Sequence, residues 1–300
     1  MIGFRTFAAG LLLLTTTVAN GSFWVSEFRD SASQYRIVRG NETVSIQQLM
    51  LLKTGDTIII DEPQGQVVIV NERNEYLRLT SDNSPFVVPE SESPPQLLVN
   101  VRNWVASWWN TRGNQSTSTM AAVSKGGLAP RFSVAGSGQN LLLSGAREIR
   151  VAWSGGIEPF EVSLLTDSGE LLVQQAVATG NTASLPEVLL QKGQFQLRVA
   201  AGDAGSTVDL TVVDREKLPA VAAEIMNLDL PEQILYGHVA MLLSAYGQWR
   251  FEALQLAHHY NLMQLELDLL AGDFPESAPG DVDSISAMPD FAERPEANDD

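Results

Sequence analysis

The apolar and polar positions of residues 35–90 follow the period of two that is typical of half-buried β-strands. The run Thr57–Ile60 is β-branched throughout, and Tyr76–Thr80 alternates apolar and polar side chains. Polar turn residues separate these runs: Gly55-Asp56, Pro63-Gln64-Gly65 and Arg73-Asn74-Glu75. This pattern predicts a small β-sandwich or roll over residues 35–90.

A second series of short apolar runs lies in residues 130–214. Glycine-containing turn signals separate seven predicted strands, at residues 140–144, 148–153, 160–166, 170–178, 183–190, 194–200 and 206–213. Seven short strands in one domain are typical of an immunoglobulin-like β-sandwich. The chain has no cysteine, so the disulfide of antibody domains is absent and only the architecture is inferred. Trp153, at a strand end, is expected in the core of this sandwich.

From residue 216 onward the apolar period becomes that of α-helices. Helices are predicted over residues 218–226, 231–246 and 248–270, with Pro231 in a first helical turn and Gly247 at a break between helices. The predicted fold class is therefore mainly β with a C-terminal α-helical hairpin at 216–270.

The segment between the two β regions predicts an amphipathic helix followed by a flexible linker, together spanning residues 96–128. Apolar residues recur there at helical spacing: Leu97, Val101, Trp104, Val105 and Trp108. Residues 111–127 are rich in Ser, Thr and Gly, a composition typical of loose segments.

The first nineteen residues have the composition of a secretory signal peptide. Arg5 precedes an apolar run at 7–14, and Thr17 and Ala19 are the small residues before a cleavage site after Ala19. We expect a periplasmic or secreted bacterial protein with no membrane span after cleavage. An uncleaved N-terminal anchor is the alternative. The absence of cysteine fits a bacterial periplasm better than a disulfide-forming eukaryotic compartment.

The charge of the chain argues against nucleic acid as a partner. The net charge is −17, and residues 271–300 carry nine acids against Arg294 alone. Phosphate backbones repel such a chain. Because residues 271–300 are also poor in apolar side chains, they are predicted to be a disordered acidic tail.

Candidate catalytic chemistry is sparse. The three histidines are His238, His258 and His259, and the adjacent pair points about 100° apart on a helix, so both cannot face one metal. A metal site would need a further ligand such as Glu252 or Glu266. Neither a Gly-x-Ser-x-Gly elbow nor a phosphate-binding loop occurs. We therefore predict no enzyme activity, no metal and no cofactor, with a hydrolase built from spatially assembled carboxylates as a minor alternative.

The tryptophans at 104, 108 and 109 are the most suggestive candidate contact residues. Trp104 and Trp108 share a helix face at i, i+4, whereas Trp109 points off that face. Trp is enriched at binding hot spots, so an exposed platform for a protein or glycan is one interpretation. Packing of the same face onto a β-domain is the other.

Residues 49–89 resemble a FecR domain, the periplasmic module of bacterial iron-dicitrate-type signalling. The resemblance is carried by Leu52-Lys53-Thr54-Gly55-Asp56-Thr57, Gln66-Val67-Val68-Ile69-Val70 and Arg73-Asn74-Glu75-Tyr76-Leu77-Arg78-Leu79. It implies an envelope protein whose FecR-like module serves recognition. Asn74-Glu75 replaces the family's Asp-Gly turn. A signal peptide stands where FecR regulators carry a cytoplasmic segment and a membrane span, so control of a sigma factor is not implied.

Residues 240–257 resemble the middle of a tetratricopeptide hairpin. An apolar helix is followed by Gly247, the aromatic Trp249 and then Ala253-Leu254. The small side chain of Ala253 would let the two helices pack closely, and Gly247 would free the turn. A single hairpin cannot stack as a solenoid. Trp249 and Ala253 are therefore candidate interaction residues, with a hairpin that caps the β-domain as the alternative.

These features together predict a non-enzymatic periplasmic protein that acts in recognition, sensing or signalling through an envelope protein partner. The alternative function is binding of cell wall or carbohydrate through the Trp cluster.

Overall fold

A computed structural model describes residues 22–29, 31–90, 94–103, 129–135 and 138–270. The predicted signal peptide, the acidic tail and nearly all of the linker lie outside these residues, as do Trp104, Trp108 and Trp109.

The first β unit consists of two four-stranded antiparallel sheets, with strand orders β4-β1-β6-β7 and β3-β2-β5-β8. The strands are β1 (Phe23–Phe28), β2 (Tyr35–Arg39), β3 (Glu42–Val44), β4 (Leu51–Leu52), β5 (Thr57–Ile60), β6 (Gln66–Asn71), β7 (Tyr76–Thr80) and β8 (Phe86–Val87). Apolar side chains from both sheets share one core, so the unit is a β-sandwich.

Strand β1 is a central strand that the sequence pattern leaves unassigned. It pairs with β4 on one side and β6 on the other. Phe23 and Val25 lie in the core between the two sheets, whereas Trp24 lies in the main core of the molecule, on the other face. Because both faces of the strand are buried at its start, its sequence shows no alternation of apolar and polar residues.

The second β unit is a sandwich of a five-stranded and a three-stranded sheet, ordered β10-β16-β15-β12-β13 and β14-β11-β9. Its strands are β9 (Arg131–Phe132), β10 (Asn140–Leu143), β11 (Gly145–Ser154), β12 (Phe160–Thr166), β13 (Leu171–Val177), β14 (Thr182–Leu190), β15 (Gly193–Ala201) and β16 (Ala204–Val213). All seven predicted strands are present with small shifts at their ends. Trp153 is 0% exposed, which confirms its predicted place in the core. The prediction of a mainly β protein is confirmed.

The described helices are α1 (96–103), α2 (Ala220–Ile225), α3 (Glu232–Ser244), α4 (Arg250–His259) and α5 (Met263–Leu270). The prediction of one continuous helix over 248–270 is wrong, because Asn261 adopts φ 54° between α4 and α5. The N–H of Leu262 donates to the carbonyl of Ala257 at 2.8 Å and that of Asn261 to His258 at 3.2 Å. This is the Schellman ending, for which Asn is a tolerated left-handed residue.

The helices connect the two β units. The main core joins α1–α5 and the second sandwich to Trp24, Leu49 and Val70 of the first unit. Ser26 Oγ donates to Gln233 Oε1 at 2.6 Å, and Gln48 Nε2 donates to the carbonyl of Asn261 at 2.7 Å. No helix in the described part of the chain is long and apolar enough to cross a membrane.

Candidate functional site

The structure places Trp249 and Ala253 inside the main core, where they are 1% and 0% exposed. Neither side chain therefore forms a surface for a partner in this conformation. A Cβ added at Gly247 would meet no atom within 4 Å, so this glycine is not a point of close helix packing. The close approach is at Gly237 of α3 instead, where an added Cβ would lie 2.5 Å from Leu49 Cδ1.

Helix α4 is fixed to the second sandwich by a buried ion pair. The Arg147 guanidinium donates two hydrogen bonds to the Glu252 carboxylate, at 2.7 and 3.0 Å, and the Leu143 N–H donates a third at 3.1 Å. Glu252 is 0% exposed. Burial raises the pKa of Glu252, and the charge of Arg147 opposes that rise. One turn later, Gln255 bonds both backbone groups of Arg150. These contacts position the helix on β10 and β11.

Ser184, His258 and Glu266 form a row of polar contacts beside this ion pair. Ser184 Oγ lies 3.4 Å from His258 Nε2, and His258 Nδ1 lies 3.1 and 3.2 Å from the Glu266 carboxylate oxygens. Arg150 also donates to Glu266 at 3.0 Å. The order resembles a Ser-His-acid triad, but Ser184 lies within β14, paired with Arg150 of β11. A nucleophilic serine needs oxyanion donors, which a tight turn commonly supplies. The row instead joins α4 and α5 to β14.

Strand β7 is an edge strand of the first β unit with one hydrogen-bonded neighbour among the described strands. Strands β4, β8 and β9 are two residues long, and β3 is three. Helix α4 packs on β10, where the Leu143 N–H donates to Glu252, and the longer edge strands β13 and β14 belong to the second β unit. Strand β7 has five residues and pairs only with β6 among the described strands. Unpaired edges offer main-chain groups to another extended segment.

The hydrogen-bond alternation shows which main-chain groups of β7 point outward. The Asn71 N–H donates to the Glu75 carbonyl at 3.2 Å, so these opposite residues form a hydrogen-bonded pair. In an antiparallel ladder such pairs alternate with pairs whose main-chain groups point away from each other. With Val70 opposite Tyr76, the outward groups belong to Tyr76, Arg78 and Thr80.

The side-chain amide of Asn83 covers part of this edge. The Thr80 N–H donates to Asn83 Oδ1 at 2.7 Å, and Asn83 Nδ2 donates to the Arg78 carbonyl at 3.3 Å. The amide therefore pairs with β7 as a peptide group of a neighbouring strand would. The Arg78 N–H and both main-chain groups of Tyr76 have no partner within the part of the chain that the structure describes.

Exposed apolar side chains lie beside these free groups. Tyr76 is 54% and Leu77 38% exposed, whereas Leu79 is 1% exposed and holds the strand on the core. We name Tyr76, Leu77 and Arg78 the β7 edge. The sequence predicts residues 76–80 as a strand. It does not predict that this strand lies at the end of its sheet, because the alternation of apolar and polar residues does not encode strand order.

No protein-family model and no curated protein sequence matches the chain. Among solved structures, Dpr1 IG1 bound to DIP-eta IG1 matches with a TM-score of 0.19 and 16% identity, over 28% of this chain and 95% of that chain. The BSP domain of a biofilm-associated protein matches with a TM-score of 0.24 and 10% identity, over 63% of this chain and 32% of that chain. At these identities and TM-scores the matches carry no information about activity or ligand.

Proposed function

We propose that this protein is a non-enzymatic recognition protein of the bacterial envelope that binds an extended segment of a protein partner along the β7 edge. The observation that supports this proposal is that the outward N–H of Arg78 and the main-chain groups of Tyr76 have no partner among the residues that the structure describes. A strand added there gains main-chain hydrogen bonds, and its alternate side chains contact Tyr76 or Leu77.

The architecture supports the same class of function. A five-stranded sheet packed on a three-stranded sheet is the layout expected of an immunoglobulin-like sandwich, a scaffold common in cell-surface recognition. The FecR-like character of residues 49–89 and the signal-like first nineteen residues are the grounds for proposing an envelope location.

The test compares Arg78→Pro with Arg78→Ala. Proline removes the outward N–H, and an edge strand tolerates it because that group takes no part in pairing with β6. Alanine removes the same side chain but keeps the N–H. We expect Arg78→Ala to retain a periplasmic protein partner in a pull-down with mass spectrometry and Arg78→Pro to lose it, with matching melting curves.

A further variant tests the β7 edge in the opposite direction, by uncovering more of its main-chain groups. Asn83→Ala frees the Thr80 N–H and the Arg78 carbonyl, and so lengthens the open edge. Partner capture should increase in this variant. Equal capture by all the variants and the unsubstituted protein would refute the β7 edge as the site. Capture on purified peptidoglycan that is the same in all of them would favour the carbohydrate alternative.

A further inference from the structure

Strand β13 is an edge strand of the second β unit, and one of its faces is symmetric about a single residue. The strand pairs with β12 and has no second neighbour among the described strands. Because alternate side chains of a strand share a face, Val173, Gln175 and Val177 lie on one side of it. We name these three residues the symmetric face. A copy of the strand that runs antiparallel presents the same side chains in the same order.

The alternation of the ladder shows which main-chain groups of β13 point away from β12. The Thr166 N–H donates to the Glu170 carbonyl at 2.8 Å, so Thr166 of β12 directs its main-chain groups toward β13. Every second residue of β12 does the same, and the residues opposite them are those of the symmetric face. The residues between them, Gln174 and Ala176, therefore direct their N–H and carbonyl groups outward.

Strand β13 lacks the residues that keep edge strands of two copies apart. Soluble proteins commonly place a charge or a proline on such strands. Strand β7 carries Arg78 and strand β14 carries Glu187, whereas residues 171–177 contain neither a charge nor a proline. Leu171 and Leu172 at the start of β13 are 50% and 40% exposed. In a chain of net charge −17, two copies can therefore pair along this strand without like charges opposite each other within it.

We propose that this protein forms a two-fold symmetric dimer in which β13 pairs antiparallel with β13 of a second copy, with the axis at Gln175. In this register the outward main-chain groups of Gln174 bond those of Ala176 in the second copy, and the symmetry repeats the pair. On the symmetric face, Val173 lies opposite Val177 and the two Gln175 side chains lie opposite each other, as a self-complementary interface requires. The pairing joins the two five-stranded sheets edge to edge.

The first test places charges at the axis and measures the mass of the full chain by analytical ultracentrifugation over a range of concentrations. In Gln175→Lys, and equally in Gln175→Glu, two like charges would face each other, so we expect each variant to stay monomeric where the unsubstituted protein reaches twice the monomer mass. An equimolar mixture of the two variants should restore the dimer. Gln196→Lys is the matched control, because Gln196 is also half-buried but lies in the central strand β15. It should dimerise as the unsubstituted protein does.

A cysteine at the axis gives a second measurement, since the chain has no cysteine of its own. Residues that lie directly opposite without main-chain hydrogen bonds between them have Cα atoms about 4.5 Å apart, which a disulfide can bridge. We expect Gln175→Cys to form a covalent dimer in a glutathione redox buffer. The exposed control Leu171→Cys should stay monomeric there, because in this register it lies far from its own copy.

A monomeric unsubstituted protein at every concentration would overturn the dimer. Undiminished dimerisation of Gln175→Lys, no recovery in the mixture, or equal cross-linking of the two cysteine variants would overturn the pairing at this axis. If the charged variants do not fold, the neutral Gln175→Cys still decides between these results. Arg78→Pro, the variant that tests the β7 edge, should leave the dimer unchanged because β7 belongs to the other β unit. Failure of one proposal is therefore distinguishable from failure of the other.

Discussion

At the scale of single residues, the buried Arg147–Glu252 ion pair is expected to affect the free energy of unfolding strongly when one partner is removed. The Glu252 carboxylate is out of contact with water and depends on Arg147 and one backbone N–H for its hydrogen bonds. Replacing one partner would leave the other buried charge uncompensated, which costs more than the pair itself gains.

We therefore expect Arg147→Ala to lower the free energy of unfolding by about 3–5 kcal/mol, measured by urea denaturation. The control is Asp61→Asn in the exposed Arg36–Asp61 pair, whose side chains are 52% and 59% accessible. That change should cost under about 1 kcal/mol, since exposed pairs contribute little. Equal losses of unfolding free energy in the two variants would show that the burial of Glu252 does not increase the cost of removing its partner.

His238 makes the stability of the fold depend on pH. Its pKa is lowered from 6.5 to about 4 in the folded protein, mainly by burial. Between these two values the unfolded chain binds the proton more tightly than the folded chain does. The stabilising contribution is thus present above pH 6.5 and is lost as the pH falls toward 4.

The expected loss is on the order of 3 kcal/mol across that window. His238→Leu should flatten this part of the pH profile of unfolding, whereas His259→Gln, at an exposed position, should leave it unchanged. Urea denaturation at half-unit steps of pH measures both. A profile in His238→Leu that parallels the unsubstituted protein would contradict this assignment.

At the scale of the elements, the sequence pattern predicts those strands that have one face on a core and one on solvent. Thr57–Ile60 and Phe160–Thr166 appear at their predicted bounds. The sequence pattern does not predict strand β1, because Trp24 faces the main core while Val25 faces the core of the first β unit. With both faces buried there, the strand lacks the alternating polar residues that indicate a solvent-facing side.

The break between α4 and α5 depends on one residue. Apolar residues continue at helical spacing on both sides of Asn261, so periodicity alone predicts a continuous helix. The left-handed conformation of Asn261 ends α4 all the same. The β7 edge is beyond sequence reasoning for another reason, since it arises from the order in which distant segments pair and from one side-chain amide, that of Asn83.

At the scale of the whole molecule, the helices pack against both β units and so join them in one core. Gly237 of α3 lies against Leu49, which is 4% exposed and adopts φ 60°, so the helix and the first β unit approach closely. A methyl group at position 237 would force the two apart or displace Leu49.

We expect Gly237→Ala to destabilise the protein by roughly 1–3 kcal/mol and to broaden or split its calorimetric unfolding transition. Gly247→Ala is the matched control, because its added Cβ meets no atom within 4 Å. It should be neutral or slightly stabilising through loss of entropy in the unfolded chain. A sharp, unshifted transition in Gly237→Ala would show that α3 and the first β unit are not coupled through this contact.

The position of β1 near the start of the sequence means that it is synthesised long before the helix that packs on it. Ser26 and its partner Gln233 are 207 residues apart, so synthesis at about 5–20 residues per second separates them by roughly 10 to 40 s. During that interval α3, which contributes residues to the same core as Trp24, has not yet been made. The newly made first β unit then exposes apolar surface on one side. We expect a chaperone that binds apolar surface to bind there until α3 has been synthesised.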